Sequence, residues 1–549
     1  MTEYVFVADP TLSAGDYHNV PLLAFSPCAP VKFIPTWLHD YLSGPRLPVE
    51  NGRAVVAPYA IRKLEAALLG QGYREDQIAV AHPDYVEHFI REDTKVIAVH
   101  TMDPLGLGPL TMMFTNGRSM TSIAEREFTD MMTRISHARK TRGGPKTKIA
   151  VGGPGAWELW YMRDYVVKAG IDYVFYGECE DLAGDLFKQF YDGSFDNRFF
   201  RGFQTFDETF HKKWEPDATG RFVTRAPMKK QFPDISEIPN IVRPSYQGLT
   251  ECMRGCGIGC DFCEVTLRPT RYYPPEKVVE EIMVNRKHGV HRSWLHSDEF
   301  FAYMHGRRFE PNQDALVKLS EAIISTGLPS YNPTHGRISV PAGYPELMEK
   351  LSKVMRAGPD NWIGVQVGLE TGSDTLAKKH MPNKTLPLQI GADGTWAEIV
   401  RDGTVNMNKY YWRPAFTVQI GQAEETQEDN WMTVGLINDL SNAGLEFSVS
   451  PLYNVPLGII KESVGFKYDI YGRLDEAQAA VIYASFRHLQ KMVMRRSFGL
   501  VKGDFWTKIF TSTVLQGGCA AVNFGLDMIF RKKGLDLSKA KSHSLNLFS

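Results

Sequence analysis

Three thiols stand close together in Cys256-Gly-Ile-Gly-Cys260-Asp-Phe-Cys263, a C-x3-C-x2-C spacing with an aromatic residue before the last cysteine. Thiolates are the ligands of iron–sulfur clusters, and Gly255, Gly257 and Gly259 give the backbone freedom to turn closely spaced sulfurs toward one cube. Three cysteines hold three irons of a [4Fe–4S] cube and leave the fourth open to a ligand that is not protein. A structural zinc site is the competing reading, with Cys252 as a fourth thiolate.

The loop resembles the motif of the radical S-adenosylmethionine (SAM) superfamily, and Arg254-Gly255 before it and Phe262 within it match the common local pattern. The resemblance implies that SAM chelates the open iron and that one electron cleaves its sulfonium bond to an adenosyl radical. A fourth thiolate would block that iron, so Cys252 reads as a buried thiol beside the cluster.

The elements that must position this loop fall in two blocks. Up to residue 195, runs at 4–8, 54–57, 77–81, 96–100, 148–152 and 173–177 read as strands, and stretches near 59–72, 121–139, 158–169 and 180–192 as helices. The alternation predicts a parallel, doubly wound Rossmann-like sheet with ligands at the carboxyl ends of its strands. Two loops there are rich in glycine, Val151-Gly152-Gly153-Pro154-Gly155-Ala156 and Tyr176-Gly177-Glu178-Cys179-Glu180-Asp181. Glycine at a strand end serves either an ordinary turn or close approach of backbone to a bulky ligand.

Together these loops resemble the GGPHA and GEGE signatures of cobalamin-binding radical SAM enzymes. The resemblance implies a cobalamin-binding domain over 1–195, with Gly152, Gly153, Pro154, Gly155, Gly177 and Glu178 around the cofactor and Thr101 and Asp103 at its corrin face. Asp16-Tyr17-His18-Asn19-Val20-Pro21 stands where the D-x-H-x-x-G motif would, with Pro21 in place of glycine. His18 is therefore read as a loop histidine near the cofactor, and cobalt as having no histidine beneath it. Residues 196–245 read as an extended connector, since Pro233, Pro239 and Pro244 suppress helix.

From 246 to 458, helices at 275–287, 314–326, 344–356 and 428–443 alternate with strands at 293–296, 331–336, 362–368, 413–420 and 447–451. This predicts a partial (β/α)6 barrel whose active site lies at the carboxyl ends of its strands. Trp294-Leu-His296-Ser-Asp298-Glu299-Phe300 resembles the family's DDxF segment, and Gly368-Leu-Glu370-Thr371-Gly372-Ser373 its GLESGS segment. The stretch from Gly421 to Asp429 is similar to its GLPGETxED turn with Ala423-Glu424 in place of Pro-Gly, and Pro451 to Gly458 stands where a PxxGTP-like turn occurs. The SAM contacts so implied are Phe262, Asp298, Glu299, Arg337, Glu370, Thr371 and Ser373. Plainer roles are a buried ion pair of Glu370 with His335 or Arg337, and helix-start stabilisation by Glu424 and Glu425.

Composition bounds the rest. A length of 549 residues allows about three to four domains of ~150 residues, and a net charge of −1 provides no global field for nucleic acid. The basic run from Arg139 to Lys148 reads as a solvated turn before a strand. Seven cysteines, four of them within residues 252–263, suit a reducing cytoplasm better than a disulfide framework. The amino terminus reads as a strand without a signal-peptide pattern. No membrane span is expected, because the most apolar stretch, 514–530, is interrupted by Gln516, Asn523 and Asp527. Residues 459–549 read as a mainly helical region, with Ile482, Phe486, Leu489 and Val493 at helical spacing for core packing.

Taken as a whole, the resemblance implies a cobalamin-dependent radical SAM methyltransferase using a [4Fe–4S] cluster, SAM and cobalamin. One SAM methylates cob(I)alamin, a second yields the adenosyl radical, and the substrate radical takes the methyl group from methylcobalamin. An unactivated carbon has no usable acidity, so a radical replaces the general base. The run of the sequence, including residues 8–18, is similar to the methyltransferases that modify a glutamine α-carbon in methyl-coenzyme M reductase. That implies a protein or peptide substrate and a ferredoxin- or flavodoxin-like electron donor. Two alternatives are a cobalamin-binding radical SAM enzyme forming rings in pigment or lipid synthesis, and a non-enzymatic corrinoid or zinc module.

Overall fold

Strand β1 (Tyr4–Ala8) is buried along its whole length because helices cover both faces of the sheet it centres. Val5 and Val7 pack with Phe128, Met131 and Ile135 on one face, and Tyr4 and Phe6 with Ile61, Leu68 and Phe187 on the other. Side chains alternate across a strand, so a strand apolar at every position belongs in such a double-covered sheet. The computed structural model describes residues 2–13, 21–42, 47–192, 199–201, 232–455, 469–501, 504–532, 534 and 536–548.

Further strands of this sheet are β2 (Val49–Glu50), β3 (Arg53–Ala54), β4 (Ile78–Ala81), β5 (Val96–His100), β6 (Lys148–Gly152), β7 (Tyr173–Tyr176) and β8 (Phe199–Arg201). Their order is β2-β3-β4-β1-β5-β6-β7-β8, parallel from β4 to β8, with β2 and β3 antiparallel at the edge. The chain steps from β1 to β4 on one side and then crosses to β5 on the other. A crevice therefore opens at the carboxyl ends of β1 and β5. The strand expected over 54–57 shortens to the antiparallel β3, because Pro58 already sets the start of the helix Tyr59–Gly70.

The second block begins with β9 (Thr250–Glu251), β10 (Met253–Arg254) and β11 (Arg271–Tyr272), and β10 pairs with β11 in an antiparallel ribbon at the base of the cysteine loop. Then follow β12 (Trp294–His296), β13 (Asn332–Pro333), β14 (His335–Gly336), β15 (Ile363–Glu370), β16 (Trp412–Ile420) and β17 (Ser448–Tyr453). β9, β12 and β13 are parallel neighbours, as are β14 to β17. Thr334 joins the two sets, its N–H donating to Leu295 O at 3.0 Å and its carbonyl accepting from Gln366 N at 3.0 Å. Six strand positions thus follow in chain order with helices between them, a partial (β/α)6 barrel. The single strand expected over 331–336 is split at Thr334.

The carboxyl-terminal region is helical. Ile482 of the helix Glu476–Leu500 enters the barrel core, while Leu489 and Val493 pack against Leu515 of the helix Phe505–Lys532. Among the described residues this last helix is long and apolar enough by length and composition to cross a membrane. The polar residues that interrupt the run in sequence lie within it, and two of them turn toward its partner. Gln516 Nε2 donates to Ser497 Oγ at 3.0 Å, and Asn523 Nδ2 to Gln490 Oε1 at 2.6 Å.

Buried charge joins the first sheet to the barrel. Lys63 pairs with Glu281, Tyr59 Oη donates to Glu281 Oε2 at 2.6 Å, and Arg62 Nε donates to Pro244 O at 3.0 Å. The connector after Pro233 is thereby held against the helices Tyr59–Gly70 and Pro275–Lys287.

Candidate functional site

The cysteine loop leaves β10 at Gly255 and returns to β11 through Thr270. Gly255, Gly257 and Gly259 all have positive φ, at 76°, 67° and 85°. At Gly255 a Cβ would meet the carbonyl oxygens of Pro269 and Arg268 at 2.6 and 2.7 Å, so glycine is required there for space as well as conformation. Asp298 Oδ2 accepts from Gly255 N at 2.6 Å, which ties the loop to the end of β12.

Burial pushes the Cys256 and Cys260 thiols up to about 12 and raises Cys263 as well; Cys263 adds to the shift of both Cys256 and Cys260, and Cys260 to that of Cys256. The three are therefore gathered in one low-dielectric place that favours neutral sulfur until a cation compensates. Cys252 is fully buried, and the acids that bear on it are Glu251, Asp298 and Glu299. Among the described residues, no three His, Cys, Asp or Glu side chains converge on one ion. Three thiolates on separate irons of a cube need not meet at a point, whereas a single zinc draws its ligands together.

The barrel strand ends surround this loop. Glu299 caps the turn after β12, its Oε1 accepting from Phe301 N at 3.0 Å and Arg337 N at 3.1 Å. Arg337 is 1% exposed, donates Nη2 to Phe309 O at 2.6 Å and stands with Nε 3.5 Å from Glu299 Oε2. Its Nη1 and Nε make no hydrogen bond, nor does Glu299 Oε2. Burial lowers Arg337 and raises Glu299, each opposed by the other and Arg337 also by Cys256. A buried guanidinium with free N–H groups beside a thiol loop is suited to an anionic group such as a carboxylate.

Glu370, at the end of β15, adopts φ 63° where the pairing with β16 is irregular. Its Oε1 accepts from Lys384 Nζ at 2.9 Å and Thr417 Oγ1 at 3.2 Å, and its Oε2 from Gln419 Nε2 at 2.9 Å. The ion pair imagined with His335 or Arg337 is thus made with Lys384 instead. His335 turns its Nδ1 to Ser297 O at 3.1 Å and stands edge-on to His296 at 6.2 Å. Burial opposes the Lys384 charge, but Glu370 and the Cys260 and Cys263 thiols outweigh it and raise its pKa. A non-glycine residue in the left-handed region carries strain, which persists where the surroundings fix a functional geometry.

Thr371 and Ser373 are buried and used internally. Thr371 Oγ1 accepts from Ser373 N at 3.1 Å, and Ser373 Oγ accepts from Leu376 N at the start of the following helix. Phe262 packs against the barrel core. In the turn after β16, Glu424 pairs with Lys379, and Glu425 accepts from Gly421 N and Gln422 N at 3.0 and 3.1 Å. The helix start itself is capped reciprocally by Thr426 and Asp429. Residues 456–458 of the PxxGTP-like turn lie outside the described residues.

At the crevice of the first sheet, Thr101 Oγ1 donates to Asp9 Oδ2 at 3.1 Å, and burial pushes Asp9 up to about 6. Asp103 accepts from Gly108 N at 2.9 Å and from Thr111, closing its own loop. At Gly153 a Cβ would strike His100 Nδ1 at 2.5 Å, and at Gly155 Met102 O at 2.4 Å. The close approach these glycines serve is to the neighbouring loop 100–104. Gly152 and Gly177 end β6 and follow β7, and Pro154 is exposed. Glu178 points away from open space, both its oxygens held by Arg254 and Arg271. His18 lies outside the described residues.

Lys384, Arg271, Gln419 and Asp9 escaped the sequence reading. Arg254 was singled out there for its place before the cysteine loop, but not for its carboxylate partners.

No family model matches this chain, and no curated protein matches it. Two solved structures of TsrM, a radical S-adenosylmethionine methyltransferase from Kitasatospora setae, are similar in part. The one with cobalamin and a [4Fe–4S] cluster bound has 14% identity and a TM-score of 0.49, covering 82% of this chain and 75% of that one. The one with tryptophan substrate and aza-SAM bound has 13% identity and a TM-score of 0.48, covering 82% and 73%.

Proposed function

We propose that this chain is a cobalamin-dependent radical SAM methyltransferase acting on an unactivated carbon. The observation that carries the reading is the gathering of Cys256, Cys260 and Cys263 at the barrel strand ends, with Cys252 set among acids and Arg337 left with free donors beside them. Cys256, Cys260 and Cys263 would hold the cluster, Arg337 the carboxylate of SAM, and the loops 100–104, 152–155 and 177 the corrinoid. When bound, the cluster supplies the electron that cleaves SAM, and cobalamin supplies the methyl group.

The chain's own residues do the positioning. Asp298 pins the base of the cysteine loop through Gly255, and Glu370 with Lys384 fixes the strand end beside it. Burial around the thiols excludes water, which a radical step requires. The domain limits of 1–195 for corrinoid, 246–458 for radical chemistry and 459–549 for the helical region belong to the same reading. So does a glutamine α-carbon in methyl-coenzyme M reductase as the first substrate to test, with a ferredoxin- or flavodoxin-like donor.

The test is anaerobic reconstitution followed by turnover with methyl-labelled SAM, cobalamin and a glutamine-bearing peptide. A brown protein with about four irons per chain, bleached by dithionite, and label in the peptide are expected. A colourless zinc protein would overturn the cluster. Deoxyadenosine without methylated peptide would count against the glutamine substrate, and a product that carries no methyl label would overturn methyl transfer and favour the ring-forming alternative.

A further inference from the structure

Arg254 is the residue immediately before the glycine that opens the cysteine loop, and its guanidinium is buried among three carboxylates. Two come from the loop after β7: Glu178, and Glu180 at 2.8 Å from Nη2. The third is Glu251, 3.0 Å from Nε and 2.9 Å from Nη2. Arg271 of β11 grips Glu178 from the other side, at 2.6 Å from Nη2 and 3.1 Å from Nη1. Burial would lower the Arg254 pKa, but Glu180, Glu251 and Glu178 hold it well above its ordinary value. Burial would likewise raise Glu178, and Arg254 and Arg271 hold it below.

The Lys63–Glu281 junction joins helices, but this one joins two strand-end loops, one from each sheet. Lysine would not suffice, because an ammonium gathers its three donors on one nitrogen, whereas the guanidinium spreads its hydrogen bonds over Nε, Nη1 and Nη2 to reach three separate carboxylates.

We propose that Arg254 is a positioning residue: it clamps the 177–181 loop of the first sheet to the base of the cysteine loop and so sets the spacing between the two cofactor sites. The spacing role rests on the function proposed above, while the clamp itself does not. Its loss leaves each site able to fill but lets the loops part, so SAM is cleaved without transfer.

Hydrogen exchange read by mass spectrometry on the chain without cofactors tests the clamp directly. In Arg254→Met, peptides covering 176–181 and 252–263 should both exchange at least about tenfold faster, as expected when one partner of a buried pair is removed. Glu178→Gln, which keeps Glu180 and Glu251 on Arg254, should give a smaller rise in the same two segments. That variant serves if Arg254→Met does not fold. Faster exchange in one segment alone, or in neither, overturns the clamp.

In the loaded enzyme, Arg254→Lys should keep iron and cobalamin within about twofold of wild type yet raise the ratio of deoxyadenosine to methylated product severalfold. An unchanged ratio overturns the positioning role. A wild-type chain that takes up no cluster overturns the function instead, and the exchange experiment still judges the clamp.

Discussion

Glu251 reports how strongly the buried charges at the base of the cysteine loop hold together. Burial alone would raise its carboxyl, but Arg254 above all, with His296 and Lys63, brings it down to about 2 from an ordinary 4.5. At about 1.4 kcal/mol per pH unit, that difference contributes about 3 kcal/mol to the folded state near neutrality. The sign follows from the folded value being the lower one. The contribution is complete above the unfolded value near 4.5 and is lost as pH falls toward 2. Glu251→Gln removes the titrating group while keeping an acceptor for the Tyr273 hydroxyl, 3.0 Å away. Urea midpoints from tryptophan fluorescence should place the variant about 3 kcal/mol below wild type near pH 7, the gap narrowing to roughly half near pH 3. A gap constant across that range would refute the reasoning, since Glu251 would then titrate alike in both states.

Cys260→Ala should abolish iron uptake, whereas Cys252→Ala should keep it at a stability cost of about 1 kcal/mol; iron analysis and thermal unfolding of both variants check this. Gly255→Ala should destabilise by more than about 2 kcal/mol and expose the loop thiols to Ellman's reagent, because its Cβ would lie 2.6 Å from Pro269 O at φ 76°. Gly518→Ala, where nothing lies within 4 Å, should instead stabilise the helix Phe505–Lys532 by about 0.5–1 kcal/mol. Arg337→Lys should weaken SAM binding to the reconstituted protein by about tenfold or more, measured by equilibrium dialysis.

Strands 4–8, 96–100 and 148–152 were legible to the residue because each is a short, mostly apolar run in a sheet covered on both faces, where local pattern and final environment agree. The 331–336 strand was seen whole but is divided at Thr334, whose two backbone groups serve different neighbours. In the helix Tyr59–Gly70, the charged Arg62, Lys63 and Glu65 are buried in the structure. Their partners lie up to 218 residues away, beyond any periodicity. The same limit hid Lys384, which sequence reasoning had no means of pairing with Glu370.

By itself the sequence determined the alternation of strands and helices, and hence two parallel sheets, and it determined the cysteine loop with the glycines that let it turn. These depend on neighbours a few residues apart, through steric freedom at glycine and through side-chain periodicity. Which charge meets which was decided only by the tertiary structure. Glu178 became a partner of Arg254 and Arg271, and Glu370 of Lys384, because a buried ion must find its opposite across whatever distance the fold brings together.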